Sequence, residues 1–333
     1  YQRPPLSKKY LLGEMEQERL HLRPESFYDD NRIDRILGQS VTGIDRKAKI
    51  VTLSDGATIS YDKLALTTGS VPRLLPEKLG GTLKKVFAVR TLADVDAMAP
   101  SFTDGGHVLI IGGGYIGLEA AAVAATKGLH VTLVEMADRI LQRVAAPQTA
   151  DYFRKLHKGN GVAILEGVGL DHLTGDGTVS GAVLSDGTEL AVDFVIVGIG
   201  IQPATALAEQ AGLKIDNGIA VNGSGQTSDP DIYAAGDCCS FPDRGKRIRL
   251  ESVPNAIDQA SAVAEAMLGK PVVYDAKPWF WSDQYDVKLQ IAGLNAGYDK
   301  TVVRMGERPG SQSVWYFLGD TLLAVDAMND PRG

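Results

Sequence analysis

The chain has almost no cysteine, no long apolar run and no surplus of positive charge, and each shortage excludes a class of function. Cys238 and Cys239 are the only two cysteines in 333 residues, and they are adjacent. That spacing builds neither a disulfide framework nor a metal site, so no metal is expected and a reducing, cytoplasmic setting is. The pair reads as small buried residues in a turn. No run of about 18 apolar residues and no signal-peptide pattern occur, so neither a membrane span nor secretion is expected. A net charge of -7 speaks against nucleic acid as the main partner. Aromatic residues are sparse at 7%, yet 44% hydrophobic content and 37 glycines describe a globular chain with many tight turns. The length suits about two domains with a third small one.

The opening, YQRPPLSKKYLLG, has no initiator methionine. Pro4 and Pro5 restrict the backbone around them and are compatible with either a stiff loop that presents Arg3, Ser7 and Lys8 in fixed directions or a frayed surface tail that happens to contain prolines.

From Val108 to Glu135 the sequence reads VLIIGGGYIGLEAAAVAATKGLHVTLVE. An apolar strand runs into Gly112, Gly114 and Gly117 at G-x-G-x-x-G spacing; an alanine-rich helix, Gly128 and a second strand ending in an acid complete a βαβ unit. Such glycines let the backbone turn sharply and approach a pyrophosphate, which the helix N-terminus then attracts. Glu135 stands 23 positions after the first glycine, where a ribose-binding acid belongs. Dinucleotide binding is the expected role.

Two segments share a further layout. AKIVTLSDGATISYDKLALTTGS turns at Asp55-Gly56 and ends in a buried run at Thr68 and Gly69. VSGAVLSDGTELAVDFVIVGIG turns at Asp186-Gly187 and ends at Gly198 and Gly200. The repetition implies an internal duplication, with the first copy's opening βαβ unit expected ahead of Tyr1. In TSDPDIYAAGDCCSF a strand delivers Asp237 just past its end, placed to accept hydrogen bonds from sugar hydroxyls or to cap a helix. LESVPNAIDQASAVAEAMLGK predicts a helix ending at Gly269. The stretch 276–333 alternates short strands and turns and holds Trp279, Trp281 and Trp315.

RPPLSK, LALTTGS, IGGGYIGLE, YAAGDC with ESVPNAIDQA, and PWFWSDQYD, in that order, resemble the flavin-dependent NADH:ferredoxin reductases of bacterial oxygenase systems, the putidaredoxin reductase-like group. The resemblance implies an α/β fold of glutathione-reductase-like architecture. Two Rossmann-like dinucleotide-binding domains would be joined by a small α+β C-terminal domain. FAD would be held by 1–96 and 214–275, NADH by 97–213, and 276–333 would form the third domain. The resemblance implies FAD contacts at Lys8, Val41, Thr68, Gly69, Arg90, Asp237, Val253 and Trp281, the last also readable as a core aromatic. NADH contacts would be Gly112, Gly114, Ile116, Gly117, Glu135 and Gly200, with Tyr115 where the nicotinamide meets the flavin. Lys8 and Glu119, expected from separate domains, would form an ion pair beside the flavin. A [2Fe-2S] ferredoxin would be the electron acceptor, with Lys277 and Lys288 as candidate docking residues.

Two other readings stay open. An NADH-sensing flavoprotein of the apoptosis-inducing-factor type would use the same nucleotide sites for assembly. A disulfide-reductase relative would need a reactive cysteine in its first domain, and Tyr1 to Gly69 contains none.

Overall fold

The computed structural model describes residues 1–330. They form two compact units: Tyr1–Leu22 with Pro72–Ile201 and the chain from Trp281 onward, and Arg23–Val71 with Gln202–Phe280. These units follow packing, whereas the blocks drawn from the sequence follow expected ligands. Lys8 and Glu119 both belong to the first unit.

The first unit is built on a five-stranded parallel sheet. Its order is Val86–Ala88, Phe194–Val197, His107–Ile111, His130–Glu135, Ala163–Glu166. Both faces are covered, so its strands are apolar at successive positions. Val108 and Ile110 pack with the Tyr115–Thr126 and Pro147–Gly159 helices, whereas Leu109 and Ile111 pack with Leu173, Ala182 and Leu184 on the opposite face. The latter three lie in an antiparallel meander, Leu170–Thr174, Gly181–Leu184 and Glu189–Ala191, that turns at Asp186-Gly187 as the sequence suggests.

From Trp279 the chain forms an antiparallel sheet ordered Trp279–Gln284, Val287–Gly293, Thr321–Met328, Gln312–Leu318, Lys300–Met305. Of the small α+β domain expected there, the described residues show this sheet. Its Val287, Leu289, Val314, Tyr316 and Met328 join the same core as Leu118 and Phe153. The sheet thereby closes over one side of the nucleotide-type domain.

The second unit repeats part of the plan. A meander of Val41–Asp45, Ile50–Leu53 and Thr58–Ser60 turns at Asp55-Gly56. Leu64–Leu66 then pairs in parallel with Ile232–Ala234. The paired meanders, each followed by a parallel strand, agree with the duplication read from the sequence. Its helix Val253–Met267 is capped by the Ser252 hydroxyl, which accepts from the Asn255 N–H at 3.3 Å, and gives way to Gly269 at φ 79°.

The opening segment is neither a stiff loop nor a frayed tail. Leu6–Tyr10 is a wide helical turn, broken at Lys8, whose φ of -135° and ψ of -111° lie outside helical geometry. Leu6 and Leu11 are buried in the core, so apolar packing pulls this segment inward. The break at Lys8 separates the buried Leu6 and Ser7 from the exposed Lys9.

Candidate active site

The glycine loop joins the His107–Ile111 strand to the Tyr115–Thr126 helix. A Cβ on Gly112 would fall 2.4 Å from the Gly198 carbonyl oxygen, and one on Gly117 would fall 2.0 Å from the Gly112 oxygen. These two glycines are therefore required by backbone packing. A Cβ on Gly114, the helix N-cap, would meet nothing within 4 Å. The loop is tight behind and open in front, as a cradle for a pyrophosphate must be. Ile116, in the first helical turn, is 44% exposed on the open side.

Glu135 ends the neighbouring strand. Its carboxylate accepts from the Gly113 N–H at 2.7 Å and from the Ala137 N–H at 2.8 Å. The acid thus orders the loop itself while its other lone pairs remain available to ribose hydroxyls. Arg139 donates to the Ala145 carbonyl at 2.8 Å and is committed to its own loop. Gly200, at φ 100°, follows the strand beside His107–Ile111; a Cβ there would sit 3.6 Å from an Arg143 guanidinium nitrogen. The predicted NADH residues thus all lie in the first unit, on neighbouring parallel strands and the loops and helix start that follow them.

One turn into the helix lies the second feature. Glu119 is the only charged residue of YIGLEAAAVAAT and is 3% exposed. A carboxylate buried among alanines must be matched by donors or lose its charge. Three groups lie within reach. Lys8 Nζ is 3.1 Å from Oε1. Ser282 donates to Oε1 at 2.7 Å, and Ser7 donates to Oε2 at 2.9 Å. Asp283 Oδ2 lies 3.8 Å from Lys8 Nζ and supplies a second, more exposed counter-charge. Burial pushes the Glu119 carboxyl up, and Lys8, Ser282 and Ser7 pull it back down. The predicted ion pair is present.

Tyr115 stands one turn before Glu119 on the same helix face, and burial raises its phenol well above the ordinary value. Near it, the hydroxyls of Thr149 (2.7 Å) and Tyr316 donate to the buried Asp326. Tyr316 in turn accepts from the Ala146 N–H at 2.9 Å. Burial raises the Asp326 carboxyl to about 6. Nothing local in the sequence marks this cluster, because its members come from two strands and a distant helix start.

The residues expected at FAD divide between the units. Lys8, Arg90 and Trp281 are in the first. Arg90 is half-buried, and its N–H donates to Asp94 at 3.1 Å; Trp281 is half-buried in the strand that carries Ser282. Val41, Thr68, Gly69, Asp237 and Val253 are in the second unit. Thr68 and Gly69 follow Leu64–Leu66, and Asp237 follows the parallel neighbour Ile232–Ala234. Gly69 at φ 69° and Gly236 at φ 81° turn the chain at the carboxyl ends of both strands, where α/β folds bind ligands. The Ser70 hydroxyl donates to Asp237 at 2.8 Å, and Asp237 lies in the short Gly236–Cys238 helical turn at the strand end. Val41 and Val253 are each 39% exposed. Within the second unit, the glycine turns and the acid at these strand ends have the chemistry to fit part of a dinucleotide cofactor.

Thiol chemistry finds no support. Cys238 and Cys239 are both fully buried, and burial raises the Cys239 thiol far from the range of a reactive thiolate. Among the described residues no group of acids, histidines and cysteines is arranged to hold a metal, and no helix is long and apolar enough to cross a membrane.

Residues 1–260 match the family described as pyridine nucleotide-disulphide oxidoreductase, and 279–333 match the reductase C-terminal domain. Putidaredoxin reductase of Pseudomonas putida is 43% identical over 98% of this chain and 79% of its own length. Rhodocoxin reductase of Rhodococcus erythropolis is 43% identical over 100% and 78%. Among solved structures, the covalent putidaredoxin reductase-putidaredoxin complex matches with a TM-score of 0.94 and 42% identity, covering 99% of this chain and 81% of that one. The ferredoxin reductase for the CYP199A2 system of Rhodopseudomonas palustris matches with a TM-score of 0.95 and 40% identity, covering 99% and 82%. The open glycine loop, the paired meanders and these likenesses converge: the chain belongs to the pyridine nucleotide-disulphide oxidoreductase family and carries its reductase C-terminal domain.

Proposed function

We propose that this protein is a flavoprotein reductase that passes electrons from NADH through FAD to a [2Fe-2S] ferredoxin serving an oxygenase or a haem-thiolate monooxygenase. When bound, FAD accepts the hydride and releases electrons one at a time, chemistry that no side chain supplies. In this reading the 112–117 loop and the N-terminus of its helix hold the NADH pyrophosphate, Glu135 accepts from a ribose hydroxyl, and Gly200 leaves room for the nucleotide. Tyr115 borders the nicotinamide. Val41, Thr68, Gly69, Arg90, Asp237, Val253 and Trp281 contact FAD, with the FAD domain drawn from 1–96 and 214–275 and the NAD domain from 97–213. The site of action is the cytoplasm, in keeping with two free thiols.

The observation that carries the reading is the sealed Lys8–Glu119 pair. In this reading the Lys8 side chain stands where hydride transfer would deliver negative charge, and a preorganised charge favours the later state most. Glu119 holds the lysine in place and keeps it from turning to solvent. An absorption spectrum of the purified protein before and after NADH tests the reading. Flavin bands should bleach, and ferredoxin should then be reduced for many cycles. A long-lived reduced complex with slow turnover would point instead to an NADH sensor; absence of flavin bands would contradict both.

A further inference from the structure

Beyond Ser282 the contacts of Glu119 continue inward. Gln284 Nε2 lies 3.2 Å from Ser282 Oγ, its Oε1 lies 2.8 Å from His157 Nε2, and the Tyr285 hydroxyl lies 3.4 Å from His157 Nδ1. Ser282, Gln284 and His157 are each 0% exposed. The group sits within the first unit, and its members come from the Tyr115–Thr126 helix, the Pro147–Gly159 helix and the Trp279–Gln284 strand with the residue that follows it.

The direction of every bond in this chain follows from its end. An ionised Glu119 can only accept, so Ser282 spends its one proton on Oε1 and must accept from its other neighbour. That neighbour is then the Gln284 amide nitrogen, which turns Oε1 of Gln284 toward His157. His157 must therefore carry its proton on Nε2, which leaves Nδ1 to accept from Tyr285. Four successive donors point one way, and an amide in the middle blocks proton passage along the line. The arrangement is a fixed-polarity support and not a proton wire.

We propose that Gln284 and His157 are positioning residues whose one-way donor chain through Ser282 keeps Glu119 ionised, and so keeps Lys8 aimed. The proposal rests on the reading of Lys8 and Glu119 given above. The charged groups facing Glu119 are Lys8 and, behind it, Asp283; the titratable group facing His157 is Tyr285. Burial favours neutral His157, in agreement with a single proton on its ring, while its bond to Gln284 opposes that shift. Burial also favours a neutral Glu119, so the donors oppose a standing tendency to protonate.

Gln284→Leu in the flavin-loaded enzyme removes the middle of the chain and lets the Ser282 hydroxyl turn away. Infrared difference spectroscopy at neutral pH should then show a protonated-carboxyl stretch additional to any in the unsubstituted enzyme and lost again in Gln284→Leu/Glu119→Gln. The limiting rate of flavin reduction should fall about tenfold, the worth of one charge-assisted hydrogen bond, with NADH affinity unchanged. It should also gain a pH dependence across the neutral range. His157→Phe should act in the same direction and His157→Gln, which keeps a donor, should restore most of the rate. These variants carry the test if Gln284→Leu does not fold. Absence of the additional carboxyl band in both Gln284→Leu and His157→Phe would overturn the proposal. A band that appears while Lys8→Met leaves the limiting rate unchanged would support the donor chain and reject the catalytic role of Lys8.

Discussion

The glycine loop and the Glu119 cluster occupy the two ends of a single helical turn, yet they hold charge by opposite means. At residues 112–117 the main chain does the work: two glycines are needed for close backbone approach and a third leaves the front open. At Glu119 a buried carboxylate is matched by side chains from remote segments. A site made of backbone fails when a single Cβ is added. One made of several side chains fails by degrees, as each partner is removed.

Gly117→Ala is the sharpest way to break the first region. Its new Cβ would meet the Gly112 carbonyl oxygen at 2.0 Å, so the loop must move off its cradle. Affinity for NADH measured by titration should fall by more than about a hundredfold, because the helix N-terminus no longer meets the pyrophosphate squarely. Gly114→Ala, with open space ahead of it, should preserve the fold and affect only ligand approach.

A second prediction uses the cluster's neighbour. Asp326 is buried and its carboxyl is raised from 3.8 to about 6. A raised carboxyl contributes stability that is fully present below its unfolded value and is lost as pH climbs through the folded one. Asp326→Asn removes that loss. Between pH values near 3 and near 7 the variant should gain on the unsubstituted protein by roughly 3 kcal/mol in urea unfolding. A constant difference across that range would show that Asp326 does not titrate there.

How legible these regions were in the sequence follows from the same contrast. The βαβ unit spans one contiguous stretch, and its strands, glycines and terminal acid can be read in order. The meanders announced themselves through Asp-Gly turns. The Lys8–Glu119 pair was expected only through family resemblance, since no local pattern joins residues so far apart. Ser7 lies 112 residues from Glu119, Ser282 lies 163, and Gln284 lies 127 from His157. The one available signal was Ser282 and Gln284 at alternate positions of WFWSDQ, polar residues on a face that strand periodicity turns inward. The helical turn at Leu6–Tyr10 escaped for another reason: two prolines suggested a rigid loop or a frayed tail, while burial of Leu6 and Leu11 decided the outcome.

Nucleotide choice sharpens the comparison by testing a charge presented at the loop. Glu135 sits at half-buried depth with two backbone donors already on it, so a 2'-phosphate would meet a fixed negative charge. NADH should be preferred over NADPH, and Glu135→Ala should reduce that preference by about tenfold in kcat/KM. Equal efficiency with both nucleotides in the unsubstituted enzyme would contradict the role of Glu135.

The smallest effect is expected at the surface, where solvent screens charge. Lys277 and Lys288 are exposed. Replacing both by Gln should slow ferredoxin reduction by about threefold and flatten its salt dependence, with a small artificial acceptor unaffected. Equal losses with both acceptors would place the damage at the flavin and not at docking.

The measurement that bears most directly on the whole account is stopped-flow reduction of the bound flavin at saturating NADH in Lys8→Met. The account predicts a limiting rate lower by about a hundredfold with NADH affinity nearly unchanged, because the lost charge acts on the state after hydride transfer has begun. An unchanged limiting rate would contradict it and leave the Lys8–Glu119 pair as part of the scaffold alone.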